Sequence, residues 1–337
     1  LADPFFDSLK ADYREFEDWF VRKADDWAYV HEHNDGSIDG FLYLKIENGA
    51  VNDIIPALPP GRRVKVGTFK VDAHGTKLGE RFVKKIFDHA VDEKTNQLYV
   101  TIFEKHENLV NLLKKYGFDW VGEKVTFNGN EIVLLRDLKW REAGCRDENY
   151  PLIKMEGSYF QIGIYPAYHT RLLPDSILNN ENVRIVEDVS HANSINKIFL
   201  SRNNRIMGLS PGDKVMMYRT GDGRGPAEYR AVATSLGVVE EARRVSSFAN
   251  AEDFIAYARP HSVFSDDDLR ESYANETYLF ALKFTYNIAL PRRLTRHHLI
   301  ESVGIDRNAY PGFTRLTPRQ FRQIAIDGGV DESLIID

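Results

Sequence analysis

Residues 64–90, VKVGTFKVDAHGTKLGERFVKKIFDHA, decide how the chain reads. The segment VKVGTFKV predicts a strand. After it, Leu78, Phe82, Val83, Ile86, Phe87 and Ala90 recur at helical spacing and predict an amphipathic helix. HGTKLG joins the two directly. The first backbone N–H groups of a helix have no internal partner and sit at the positive end of its dipole, so such a join can cradle a phosphate. It is equally a tight turn that binds nothing. Two familiar phosphate patterns do not fit. Lys77 is followed by Leu78, whereas a P-loop needs Ser or Thr after the lysine. Gly75 and Gly79 are too few glycines for a dinucleotide fingerprint, and a helix and two strands precede them.

The flanking sequence extends this pattern. Phe5, Leu9, Tyr13, Phe16 and Phe20 predict an N-terminal helix. WAYVHEH and GFLYLKIE, on either side of NDGS, predict a hairpin. QLYVTIF is a short, almost wholly apolar strand, as expected where both sheet faces are covered. ENLVNLLKKY predicts a helix through Leu109, Leu112, Leu113 and Tyr116, and the chain from GFDW to LLRDL predicts a second hairpin around NGN.

The chain has 337 residues, 43% hydrophobic, with a net charge of −6. This length suits about two domains. No apolar run approaches the ~20 residues that span a bilayer. The one cysteine, Cys145, permits no internal disulfide and suits a reducing, cytoplasmic setting. Residues 1–140 hold 14 Lys and 6 Arg, and residues 141–337 hold 4 Lys and 20 Arg, although the two parts carry similar acidity. With the polar segment WREAGCRDENYP, this change of cation places a boundary within residues 140–151, drawn as domains 1–140 and 141–337.

Helix, hairpin, strand, phosphate turn, helix, strand, helix ending in Tyr-Gly-Phe, hairpin: this order resembles the GNAT family of acyl-CoA-dependent N-acetyltransferases over residues 5–138. The family's Arg/Gln-x-x-Gly-x-Gly/Ala signature falls on His74-Gly75-Thr76-Lys77-Leu78-Gly79. His74 and Lys77 depart from it and Gly79 matches. The resemblance implies an α+β fold with a mixed sheet flanked by helices, and acetyl-CoA as donor. It implies a cofactor site of Phe69, Val71, residues 74–80 through Glu80, and, on the later helix, His106 and Asn108, with Lys77 adding a cation. Gly117-Phe118 matches the family's Gly-Phe helix end. The tyrosine that often protonates the leaving thiolate falls on Leu113. Tyr116, three residues on, is the candidate acid, or else a packed aromatic. A base must lie within hydrogen-bond reach of the attacking amine, directly or through water. Asp72 and Glu104, at strand ends, are the candidates.

In the second half, QIGI, SINKIFLSR, DKVMMYR, YRAVATSLGVVEEARR and TYLFALKFTYNIAL read as strands between Pro/Gly turns. NAEDFIAYARP and LTRHHLIESVG read as short helices. The order, with PGD before an apolar strand and a later GVVEEA, resembles the PUA-like superfamily, particularly its ASCH and EVE branches. That resemblance implies a small β-barrel and RNA or modified-base binding. Tyr168, Arg171, Arg219, Arg230, Arg292, Arg293 and Arg296 are the candidate nucleic-acid contacts, since arginine makes planar bidentate phosphate contacts and stacks on bases. Alternation of polar residues along strands also describes a plain solvated face. His297-His298 has no third ligand at metal-site spacing, so no metal is expected.

These readings converge on an acetyl-CoA-dependent N-acetyltransferase acting on an amine of RNA, aminoacyl-tRNA or a translation-associated protein, in the manner of toxin-type members of the family. Two alternatives stand: an acyl-CoA-sensing RNA-binding protein without catalysis, and a small-molecule amine acetyltransferase whose second half is a scaffold.

Overall fold

The computed structural model describes residues 1–33, 35–72, 75–178 and 190–337. The chain forms two compact units, Leu1–Tyr150 and Pro151–Asp337. Residues 141–150 therefore belong with the first unit, beyond the boundary drawn at 140. Helix Arg146–Asn149 ties them there: Asn149 Nδ2 donates to Arg141 O at 3.0 Å, and the Tyr150 ring packs on Phe87 and Tyr116.

The first unit runs α1 (Asp7–Asp12), α2 (Phe16–Arg22), β1 (Ala28–Glu32), β2 (Ile38–Val51), β3 (Leu58–Val71), α3 (Leu78–Asp92), β4 (Gln97–Ile102), α4 (Glu107–Lys115), β5 (Asp119–Thr126), β6 (Gly129–Asp137) and α5 (Arg146–Asn149). The element order is the one the resemblance implies, with one correction. The single N-terminal helix is two short ones, broken between Asp12 and Phe16, which fold Phe6, Phe16 and Phe20 onto Phe41 of β2. The apolar stripe of α3, from Leu78 to Ala90, is buried as its spacing requires. Helix α4 ends where Gly117 takes φ +78°, with Gly117 N donating to Lys114 O and Phe118 N to Leu113 O, a Schellman stop. A Cβ at Gly117 would lie 2.6 Å from Glu148 O.

The sheet order is β1-β2-β3-β4-β6-β5. Every pair is antiparallel except β3 with β4, which are parallel and in register only at Val64–Leu98, Lys65–Tyr99 and Val66–Val100. Beyond Val66, β3 continues to Val71 beside no part of β4, so the sheet opens as a V.

The second unit contains β7 (Ile153–Lys154), β8 (Tyr159–Ile164), α6 (Pro166–Leu172), α7 (Ser190–Asn193), β9 (Asn196–Ser201), β10 (Lys214–Arg219), α8 (Ala227–Arg230), β11 (Val232–Arg244), α9 (Ala251–Ala258), α10 (Asp266–Ala274), β12 (Phe280–Thr295), α11 (Arg296–Glu301), β13 (Phe313–Leu316), α12 (Pro318–Asp327) and β14 (Ile335–Ile336). Six strands pair in the order β13-β8-β10-β11-β12-β9, around a core that includes Ile162, Met217, Leu282 and Phe284. Among the described residues no pairing joins β13 to β9. The expected small barrel is thus an open mixed sheet, in which β8 and β10 are the parallel pair.

Candidate active site in the splayed sheet

The V is built around Gly67. Thr68 is in register with Tyr43 and Val66 with Leu44, so Gly67 is an extra residue in β3, a β-bulge facing no partner in β2 or β4. Glycine is required there: a Cβ would stand 2.6 Å from Tyr43 Cδ1. Gly67 lines a cavity of about 910 Å³ within the first unit. Its floor includes Thr68 and Val100 of the two splayed strands. α1, α2 and the break between them contribute Asp12, Trp19 and Tyr13, α4 contributes Asn108 and Leu112, and the first turn of α3 contributes Gly79.

The glycine-bearing turn is shaped by left-handed backbone at Gly75 (φ +82°) and Lys77 (φ +57°), and no side chain caps α3. A Cβ at Gly79 would lie 2.9 Å from Leu112 Cδ2, so Gly79 lets α3 and α4 close at the cavity's end. The space thus runs from an uncapped helix start to an unregistered strand glycine. That suits a long ligand with a phosphate group at one end and a reactive group at the other.

Of the cofactor residues expected from sequence, Phe69, Val71, Gly79, His106 and Asn108 line this cavity. Gly75, Thr76, Lys77, Leu78 and Glu80 do not, and His74 lies outside the described residues. Lys77 does not offer its cation to the cavity. Its Nζ lies 3.2 Å from the carboxylate of Glu80, a buried residue that also faces Lys115 at 3.6 Å. His106 Nε2 sits 3.0 Å from Asp12 Oδ2.

Of the expected acid and bases, Asp72 alone lines the cavity. Tyr116 is fully buried and lines no part of the cavity. Burial, with the Glu80 and Asp147 carboxylates beside it, pushes its phenol far above the ordinary range, so it is the packed aromatic of the two readings. Glu104 is exposed and outside the lining. Asp72 lines the cavity but is exposed and paired with Lys70 Nζ at 3.0 Å. The base-like group is one the sequence reading missed. Glu131 of β6 is the one buried carboxylate among the described lining residues, 4% exposed, and accepts a hydrogen bond from Tyr13 Oη at 2.7 Å. Desolvation and that carboxylate raise the Tyr13 phenol, which keeps it a donor. Glu131 sits in an ordinary hairpin, and only the fold links it to Tyr13. Gly67 did carry a signal, since an isolated glycine within a strand pattern marks a bulge.

In the second unit, Val232 pairs with Arg219 and with Thr295, and Arg296 N donates to Ala231 O at 2.8 Å. Arg219, Arg230 and Arg296 therefore meet at one end of the sheet. Each serves the fold. Arg219 is buried, Arg230 Nε bonds Asp222 at 2.6 Å, and Arg296 Nη2 reaches Arg307 O at 2.8 Å. Arg293 Nη2 bonds Asp175 O at 2.9 Å and Arg292 Nη2 reaches Ile326 O at 3.3 Å. Arg171 bonds Val263 O at 3.0 Å, and the Tyr168 ring packs on Phe264. Beside Arg219 and Arg293, His169 is wholly buried with Nε2 2.8 Å from Thr234 Oγ1; burial and the two guanidinium groups lower its pKa to about 3. His297 does find acidic neighbours that spacing alone does not show. Glu228, His297 and Glu301 bring their ligand atoms within 4.8 Å of one another, with Arg307 bonded to both carboxylates.

No family model matches the chain. It is 31% identical over 75 residues to the probable spermine N(1)-acetyltransferase of Bacillus subtilis subsp. natto, across 21% of this chain and 49% of that protein. The chain thus spans about half the length of the curated relative it matches. Among solved structures it is similar to a GNAT-family acetyltransferase from Streptococcus agalactiae (12% identity, TM-score 0.30, covering 38% of this chain and 75% of that one). It is similar also to a GNAT-family acetyltransferase from Elizabethkingia anophelis with acetyl-CoA bound (14% identity, TM-score 0.29, 37% and 84%). A third likeness is to a mutant form of the ZmASCH protein from Zymomonas mobilis (11% identity, TM-score 0.32, 50% and 94%).

Proposed function

We propose that the first unit is an acetyl-CoA-dependent N-acetyltransferase. The observation that carries the reading is the single cavity that joins the unregistered Gly67, where β3 and β4 part, to the uncapped start of α3 at Gly79. The name of the curated relative, an acetyltransferase of a polyamine, points the same way. Acetyl-CoA supplies an activated acetyl thioester. The first turn of α3 holds its phosphates through backbone N–H groups, and the bulge places Gly67 beside the acetyl group. Glu131, fixed by Tyr13, takes the proton that the acceptor nitrogen loses, directly or through water. The nitrogen–carbon bond forms as the carbon–sulfur bond breaks, and the sulfur departs as the thiolate, which takes a proton from water to give the thiol.

An acceptor amine borne on RNA or charged tRNA rests on the arginine-rich composition of residues 141–337 rather than on a free cluster, and thiol release that requires bulk cellular RNA tests it. For the core reading, acetyl-CoA raises the melting temperature by mass action. Glu131→Gln lowers kcat by about 10²–10⁴-fold, the usual worth of a general base, and leaves the acetyl-CoA thermal shift in place. A kcat equal to wild type removes Glu131 from the chemistry. The absence of an acetyl-CoA shift in the wild type refutes the function.

A further inference from the structure

Four of the five lysines lining the cavity have a close counter-charge. Lys45 lies 2.5 Å from Glu47, Lys70 3.0 Å from Asp72, Lys105 2.5 Å from Asp12 and Lys124 2.7 Å from Asp53. Lys65 differs. Its Nζ is 3.9 Å from Glu47, whose carboxylate already holds Lys45 and accepts from Tyr99 Oη. Its other close neighbour is the face of the Tyr99 ring, 5.3 Å to the centroid. The side chain is 16% exposed and lines the cavity. The charges that act on it most are the ammonium groups of Lys45 and Lys124 and the carboxylates of Glu47 and Asp53, two of each sign, which leaves the Lys65 cation itself unbalanced within this group. Burial, aided by Lys124 and Lys45 and opposed by Glu47, lowers its pKa, the mark of a cation with too little compensation.

Lys65 stands two residues before Gly67 on β3, about 7 Å along the strand, in register with Tyr99. We propose that Lys65 Nζ binds an oxyanion, carboxylate or phosphate, carried by the amine that is acetylated. The inference rests on acetyl transfer at Gly67 and names the acceptor class. The acceptor's nitrogen gains the acetyl group, loses its proton and releases the thiol, while its anionic group stays paired with Lys65. A polyamine would place a second ammonium against that of Lys65 instead.

The test is steady-state thiol release by the full chain with acetyl-CoA and four amines: γ-aminobutyrate, O-phosphoethanolamine, butylamine and spermine. One charge-assisted contact predicts kcat/KM for an anionic amine about 10- to 100-fold above butylamine, with spermine below both. Lys65→Met removes that preference and Lys65→Arg retains it, the fold being checked by the acetyl-CoA thermal shift. If Lys65→Met folds poorly, the wild-type ratios decide. Preference for γ-aminobutyrate alone assigns a carboxylate, and for O-phosphoethanolamine alone a phosphate. Butylamine or spermine turned over as well as the anionic amines, or a preference surviving in Lys65→Met, overturns the inference and leaves acetyl transfer standing. No turnover with any amine, while acetyl-CoA still raises the melting temperature, overturns acetyl transfer and the inference with it.

Discussion

Gly67→Ala tests the bulge on which the site depends. The new methyl would stand 2.6 Å from Tyr43 Cδ1 and 3.0 Å from Cε1, where carbon atoms settle at about 3.5–4.0 Å. Tyr43 has little room to yield. It is buried, its hydroxyl donates to Asp26 at 2.5 Å, and its ring meets Trp19 edge-on at 5.3 Å. Either the ring or β3 must shift. Overpacking of this kind costs about 1–3 kcal/mol. At about 2–4 °C per kcal/mol for a unit of this size, the melting temperature falls by roughly 2–12 °C. All four tryptophans, Trp19, Trp27, Trp120 and Trp140, lie in the first unit, so intrinsic fluorescence follows its unfolding selectively. The acetyl-CoA thermal shift is expected to shrink as well, because the displaced strand lines the cavity proposed to hold acetyl-CoA. Tyr43→Leu in the same chain recovers part of the loss, a coupling that a double-mutant cycle reads directly. Gly67→Ala with a wild-type melting temperature and a wild-type acetyl-CoA shift would refute the reasoning.

Two further outcomes follow from burial. Tyr116→Phe leaves turnover and acetyl-CoA affinity at wild-type values, since the phenol is packed away from the cavity; a fall in kcat with affinity retained would return it to the chemistry. His169 has a folded pKa of about 3, below the ordinary 6.5, so the unfolded chain takes up the proton first. The stability this neutral histidine contributes is complete above pH 6.5 and declines as pH falls toward 3. His191, lowered to about 4 by burial and by Lys197 and Arg171, adds to the same slope. Calorimetry of the transition not reported by tryptophan should show this dependence, shallower in His169→Gln; identical slopes would contradict it.

The sequence by itself determined the elements and their order in the first unit. Periodicity placed α3 and α4, and the Gly-Phe pair marked the stop of α4, because a left-handed residue is needed where Glu148 O leaves no space for a Cβ. Turn residues placed both hairpins. These signals are local, set by the spacing of apolar side chains and by residues that tolerate particular backbone angles. The N-terminal pattern misled because Phe5 to Phe20 keep helical spacing across a break, and what they bury against is Phe41, far along the chain.

The site's chemistry was legible only in part. Phe69, Val71, Gly79, His106 and Asn108 were expected from the order of elements, and each lines the cavity. Lys77 and Tyr116 were drawn from the same order, yet a buried Glu80 holds the first and the packing of Phe87, Tyr150 and α4 encloses the second. Tyr13 and Glu131 are 118 positions apart and meet across the cavity. The standing of Lys65 depends on where Glu47, Lys45 and Lys124 spend their charges. Local sequence decides which backbone a segment adopts. Which carboxylate is buried, which cation is left short of a partner and where two parallel strands part are settled by long-range packing, and only the tertiary structure decided them.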